Sequence, residues 1–219
     1  MTSQTADQVE REIAALLAPS GLLPLGWFEL EERPALLIGN VGSSLWPSFS
    51  KSNQFADGEP DPLNRWTVEI ISTLVQTYGS GSINEVRYPF SEPSWPFQNY
   101  AKEALNISQS PIGLLIHPEY GLWTAFRAVL IMAAKFEVPE SNPGASPCDS
   151  CTDKPCLSTC PISAFTPDNY DYVSCKSYVA SEPGRTCHDG GCQARQACPV
   201  GRNYIYERPH QAFHMKAFI

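Results

Sequence analysis

The first two-thirds of this 219-residue chain contain no cysteine; all eight of its cysteines lie between positions 148 and 198. Other scarcities narrow the field before any motif is read. The opening, MTSQTADQVEREIAALL, carries acidic residues where an export signal needs a basic start and an apolar run, so a cytoplasmic location is expected. No stretch reaches the roughly eighteen apolar residues of a membrane-spanning helix. The longest candidate, AFRAVLIMAAKF, is interrupted by Arg127 and Lys135. Basic residues are few, 15 against 23 acidic ones, for a net charge of −8. With no basic stripe to displace counterions and no basic run interleaved with aromatics, nucleic acid is not an expected partner. A Gly-rich phosphate loop is also missing, which counts against a flavin, and GNVGSS at 39–44 reads as a turn.

What is present supports a folded core. Hydrophobic residues make up 42% of the chain, and its 20 prolines concentrate in connections such as EPDPLN, RYPFSEPSWPF and FEVPESNPGASPC. TADQVEREIAALLAPSG predicts an amphipathic helix with Val9, Ile13, Leu16 and Leu17 on one face, stopped by Pro19 and Gly21. LGWFEL and ALLIGNVG read as strands. DPLNRWTVEIISTLVQTYG reads as a helix capped by Asp61, with Pro62 at its first position and Gly79 at its end. SINEVRYPF and PIGLLI read as further strands and FQNYAKEALN as a short helix, while LWTAFRAVLIMAA is too uniformly apolar for periodicity to decide. Strands and helices in this order give an α/β or α+β architecture. The PESNPGAS loop at 139–146 marks the expected boundary between a domain at 1–140 and a second at 147–219, where large aliphatics become scarce.

Three chemistries compete for the cysteines. Disulfide frameworks suit small secreted domains without a core. Structural zinc uses well-separated C-x2-4-C pairs. The first set here runs Cys148-x2-Cys151-x4-Cys156-x3-Cys160-Pro161. The second comprises Cys175 and then Cys187-x4-Cys192-x5-Cys198-Pro199. Both close on Cys-Pro, and the first keeps the C-x2-C start and C-x3-C-P end of the bacterial ferredoxin run with a longer middle. Iron–sulfur clusters account for more of this detail than either rival.

The pattern resembles the dicluster ferredoxin-like module of epoxyqueuosine reductases and reductive dehalogenases, in which an isolated cysteine like that of SCKSY (174–178) precedes the second set. The resemblance implies two 4Fe–4S clusters. Cys148, Cys151 and Cys156 would join Cys198 on one, and Cys160 would cross to join Cys175, Cys187 and Cys192 on the other. All eight thiols are then used.

A second resemblance lies in GLLIHPEYGLWTAFRAVLIMAAKFEVP (113–139) and, less fully, in DPLNRWTVEII (61–71). Both are similar to stretches of the cobalamin-processing CblC family. That family implies an α+β, nitroreductase-like core that binds cobalamin, with His117, Tyr120, Gly121, Trp123 and Arg127 at matching positions. Read from the residues alone, His117 caps a turn, Trp123, Phe126 and Leu130 are core, and Arg127 is either a site residue or a paired side chain. Residues 1–60 match poorly, and FQNYAKEAL stands where the family has a histidine near the detached base.

Together the resemblances imply a reductive cobalamin-processing protein that takes electrons from a donor protein or small reductant. An electron carrier to a protein partner without corrin is the alternative. So is a cobalamin-dependent reductase of an organic substrate, although the extra C-terminal repeats of epoxyqueuosine reductases and the export signal of dehalogenases are absent. The tail HQAFHMKAFI packs either on the core or on a second subunit in a homodimer, and His210 and His214 stand at i and i+4, a spacing open to metal.

Overall fold

The computed structural model describes residues 5–79, 81–140, 144–166 and 169–219. In chain order it contains α1 (Ala6–Leu17), β1 (Leu23–Leu30), β2 (Arg33–Val41), α2 (Trp46–Phe49), α3 (Asn53–Ala56), α4 (Pro62–Tyr78), β3 (Ile83–Arg87) and α5 (Phe97–Leu105). There follow β4 (Ser108–Gln109), β5 (Leu115–Ile116), β6 (Thr124–Met132), α6 (Pro155–Ser158), α7 (Tyr172–Val179), α8 (Arg185–Gly190), α9 (Gln193–Gln196) and α10 (Arg208–Phe218). Among the described residues no helix is long and apolar enough to cross a membrane.

The chain divides into two compact units. The first takes residues 1–40, 44–106 and 125–143, and the second takes 41–43, 107–124 and 144–219. The cysteine-bearing segment therefore groups with 107–124, a stretch the sequence had placed in a domain running to residue 140. Residues 141–143 of the expected boundary loop lie outside the described residues.

The first unit is α+β. Its sheet has the order β1-β2-β6-β3, with β1 antiparallel to β2 and β3 antiparallel to β6. The undecided apolar run is thus strand β6, whose last five residues are all buried. β2, an interior strand of this sheet, is buried on both faces from Pro34 to Asn40. α1 starts with Thr5 accepting from the Gln8 amide and buries Ala6, Val9, Ile13 and Leu17. Leu16, expected on the same face, is 39% exposed. α4 begins at Pro62 as expected, but Asp61 makes no side-chain cap and adopts φ 51°. Arg87, buried at the end of β3, donates to the carboxylates of Glu85 and Glu31 and to the Tyr100 hydroxyl, with Trp95 on its face. This satisfies a charge that burial alone would make costly.

The second unit has little regular structure. PIGLLI forms a strand only at Leu115–Ile116, paired with β4, because residues 111–114 turn. Its apolar cluster joins Ile112, Ile116, Leu122 and Ala194 to Cys156 and Cys198, so thiols stand where a larger domain would place aliphatics. The tail expected to pack on the core or on a second subunit is α10, which lies against α8 within this unit and presents Phe218 edge-on to Tyr172.

Two truncations on one helix test the burial pattern. Ile13→Ala, at a site with no exposure, is expected to cost about 2–5 kcal/mol. Leu16→Ala is expected to cost under about 1 kcal/mol. Urea midpoints at unchanged slope report the difference.

Candidate metal centre

All eight cysteines are free thiols, and the fold sorts them. One cavity is walled by Cys148, Cys151, Cys156 and Cys198 together with Pro147, Pro155 and Pro199. Another, of about 350 Å³, is walled by Cys160, Cys175, Cys187 and Cys192 together with apolar side chains that include Ile112, Phe165 and Val179. The same grouping shows in the electrostatics. Burial pushes the Cys156 thiol up, and Cys198, Cys148 and Cys151 add to the shift. Burial likewise raises Cys175, to which Cys160 and Cys187 contribute, and Cys192, to which Cys187 and Cys175 contribute. The thiols named in each case belong to the same set.

Short helical turns present the sulfurs. α6 carries Cys156 at its second position behind Pro155, α7 carries Cys175 one turn in, and α8 carries Cys187. Such turns leave amides free of intrahelical partners, and several point at sulfur. The Ala164 amide donates to Cys160 Sγ at 3.3 Å, and Gln193 Nε2 donates to Cys187 Sγ at 3.5 Å. Burial raises Cys192 while the amides of Arg195 and Ala194 oppose it. In Cys198, burial is opposed by the Val200 amide. These donors suit thiolates. A neutral thiol gains little from them. Among the described residues no three His, Cys, Asp or Glu side chains converge closely enough to hold a single metal ion.

The residues matched to CblC fall in both units. Arg127 lies half-buried on β6 in the first. His117, Tyr120, Gly121 and Trp123 lie in the second, where they build a turn. His117 and Gly121 exchange backbone hydrogen bonds at 2.8 and 2.9 Å. The Nδ1 of His117 accepts from the amides of Glu119 and Tyr120 at 3.1 and 3.2 Å, and its ring stacks on Tyr120 at 4.3 Å. A Cβ on Gly121 would meet the Val200 carbonyl at 2.1 Å, and one on Gly201 would meet Tyr120 at 2.3 Å, so two glycines clamp this turn to the segment just after Cys198. Trp123 is fully buried, with no hydrogen bond to its indole N–H. The Arg195 guanidinium covers it at 4.3 Å while donating twice to the Leu122 carbonyl. Leu130 is buried as expected, whereas Phe126 is only half-buried.

The sequence reading missed Arg195, whose only signal was a basic residue set between Cys192 and Cys198. His210 and His214 engage each other, Nε2 to Nε2, at 3.1 Å, and His210 Nδ1 meets the Ser43 hydroxyl at 3.0 Å.

No family model and no curated protein sequence matches the chain. Among solved structures, epoxyqueuosine reductase from Streptococcus thermophilus aligns over 82% of this chain and 52% of its own, at 16% identity and a TM-score of 0.51. A selenomethionine-labelled epoxyqueuosine reductase aligns over 97% and 63%, at 16% identity and a TM-score of 0.49. The B12-trafficking protein CblC of C. elegans aligns over 96% and 91%, at 16% identity and 0.47. The chain thus spans between about half and two-thirds of the two reductases. The likeness to the Streptococcus protein is one of fold.

The turn around His117 has a pH signature. Burial lowers its pKa below the ordinary 6.5, against a smaller opposing pull from Glu119. The unfolded chain therefore binds the proton first. The turn's contribution to stability is complete above pH 6.5 and declines as pH falls toward the folded value. Thermal unfolding followed between pH 5 and 8 (about the span in which histidine titrates) should show this loss, and His117→Gln should remove it.

Proposed function

We propose that the second unit holds two 4Fe–4S clusters and that the protein is an iron–sulfur redox protein. One observation carries the reading: eight free thiols divide four and four between two cavities. A single zinc ion needs ligands about 2.3 Å from one centre, and no such convergence is found among the described residues. A polynuclear group takes thiolates that stand further apart. Bound clusters supply one-electron storage, with a potential set by hydrogen bonds to sulfur and by solvent exposure. The chain's own share is to hold the sulfurs, exclude water with proline and aliphatic walls, and place amides where negative charge accumulates.

Cobalamin as the electron acceptor rests on the CblC-like stretch at 113–139 and on the fold shared with an epoxyqueuosine reductase. The second-unit residues of that stretch serve the protein itself. His117 Nδ1 is occupied by two amides, Gly121 is in backbone contact and Trp123 is sealed in the core. That observation favours the second reading, an electron carrier to a protein partner.

Anaerobic preparation should give a brown protein with roughly eight irons per chain. Cys148→Ser and Cys198→Ser should lose the same cluster and Cys175→Ser the other, each leaving about half the iron. A colourless, iron-free protein would overturn the reading. Retention of cyanocobalamin on gel filtration, with a changed corrin spectrum under reductant, selects cobalamin processing. No retention selects the electron carrier.

A further inference from the structure

A side chain reaches a sulfur in the second group of thiols. Gln193 Nε2 stands 3.5 Å from Cys187 Sγ, and Gln193 lines the same cavity as Cys160, Cys175, Cys187 and Cys192. It opens α9 directly after Cys192, so its backbone is fixed by one thiol of the set while its side chain reaches another. Two contacts hold α9 at this reach. Ala194 is buried in the apolar cluster with Ile112 and Leu122. Gln196 Nε2 donates to the Gly190 carbonyl at 2.8 Å, which ties α9 to the last residue of α8, the helix that carries Cys187. A carboxamide nitrogen donates and its oxygen accepts, so a sulfur bearing negative charge selects the nitrogen. Cys160 Sγ takes a donor too, the Ala164 amide at 3.3 Å, but that group belongs to the backbone. Gln193 can be changed.

We propose that Gln193 is a positioning residue that raises the reduction potential of the centre held by Cys160, Cys175, Cys187 and Cys192. This rests on the iron–sulfur reading above. Reduction adds negative charge that the ligating sulfurs share, and a hydrogen bond to sulfur stabilises the more negative state. The Gln193 amide therefore favours the reduced form of its own centre and leaves the other unmoved. It acts through Cys187 and is not itself a ligand. The tie from Gln196 to Gly190 holds α9 on α8, so the donor is aimed before any electron arrives.

The test is a potentiometric titration of the anaerobic holoprotein, followed by electron paramagnetic resonance. Gln193→Leu should lower one midpoint by about tenfold in the reduction equilibrium, or ~59 mV for a one-electron couple. That midpoint should be the one missing from Cys175→Ser, and the other should stay in place. Gln193→Lys, which returns a donor together with a positive charge, should bring the same midpoint back to the wild-type value or above it. Gln196→Ala loosens α9 without touching a sulfur and should move it less. If Gln193→Leu fails to take up iron, Gln193→Lys against wild type decides the matter. An unmoved midpoint in Gln193→Leu, a fall in Gln193→Lys, or equal shifts of both midpoints overturns the proposal while the clusters stand. So does a Gln196→Ala shift as large as that of Gln193→Leu. A wild-type protein without iron overturns the iron–sulfur reading, and this inference with it.

Discussion

Sulfur buried without a compensating charge is the constraint on which the second unit depends. Burial raises the thiols of Cys148, Cys156, Cys175, Cys192 and Cys198, because a thiolate in an apolar wall lacks the water that would stabilise it. A structure that only needed small apolar fillers there would have no use for amides aimed at the same atoms. Here both occur together. The walls exclude water, and the donors prepare for negative charge. Under the proposed iron–sulfur reading, a cation-rich group would answer both at once.

The first unit answers to a different force. β2 and β6 form the middle of its sheet, and α1 closes on the core through Val9, Ile13 and Leu17. Its stability is that of ordinary apolar burial. The second unit has Ile112, Ile116, Leu122 and Ala194 as its clustered apolar residues, with cysteines completing the set. Small cores of this kind commonly need a metal or a cross-link to persist.

Legibility in the sequence followed the same divide. Helix α1, helix α4 and strands β1 and β2 were readable because period and punctuation agree there. β6 was not, since a strand flanked on both sides is apolar throughout and loses its alternation. The Asp61 cap failed for a local reason: its left-handed backbone leaves the side chain without an amide to accept from. The division of the cysteines was suggested by family likeness, and the two cavities sort them in the same way. What spacing could not reveal was that 107–124 belongs with them. That stretch looks like any short apolar strand, and only the contacts of Ile112, Ile116 and Leu122 with the cysteine cluster disclose its role.

The glycine clamp has a consequence for biosynthesis. Three thiols of the first group emerge within one short run, but the fourth, Cys198, arrives only after Cys160, Cys175, Cys187 and Cys192 have been made. Because Gly121 and Gly201 lock the early turn against the backbone beyond Cys198, that turn cannot reach its final seat on a nascent chain still short of this point. The first compartment therefore cannot shut until the backbone beyond Cys198 has been made.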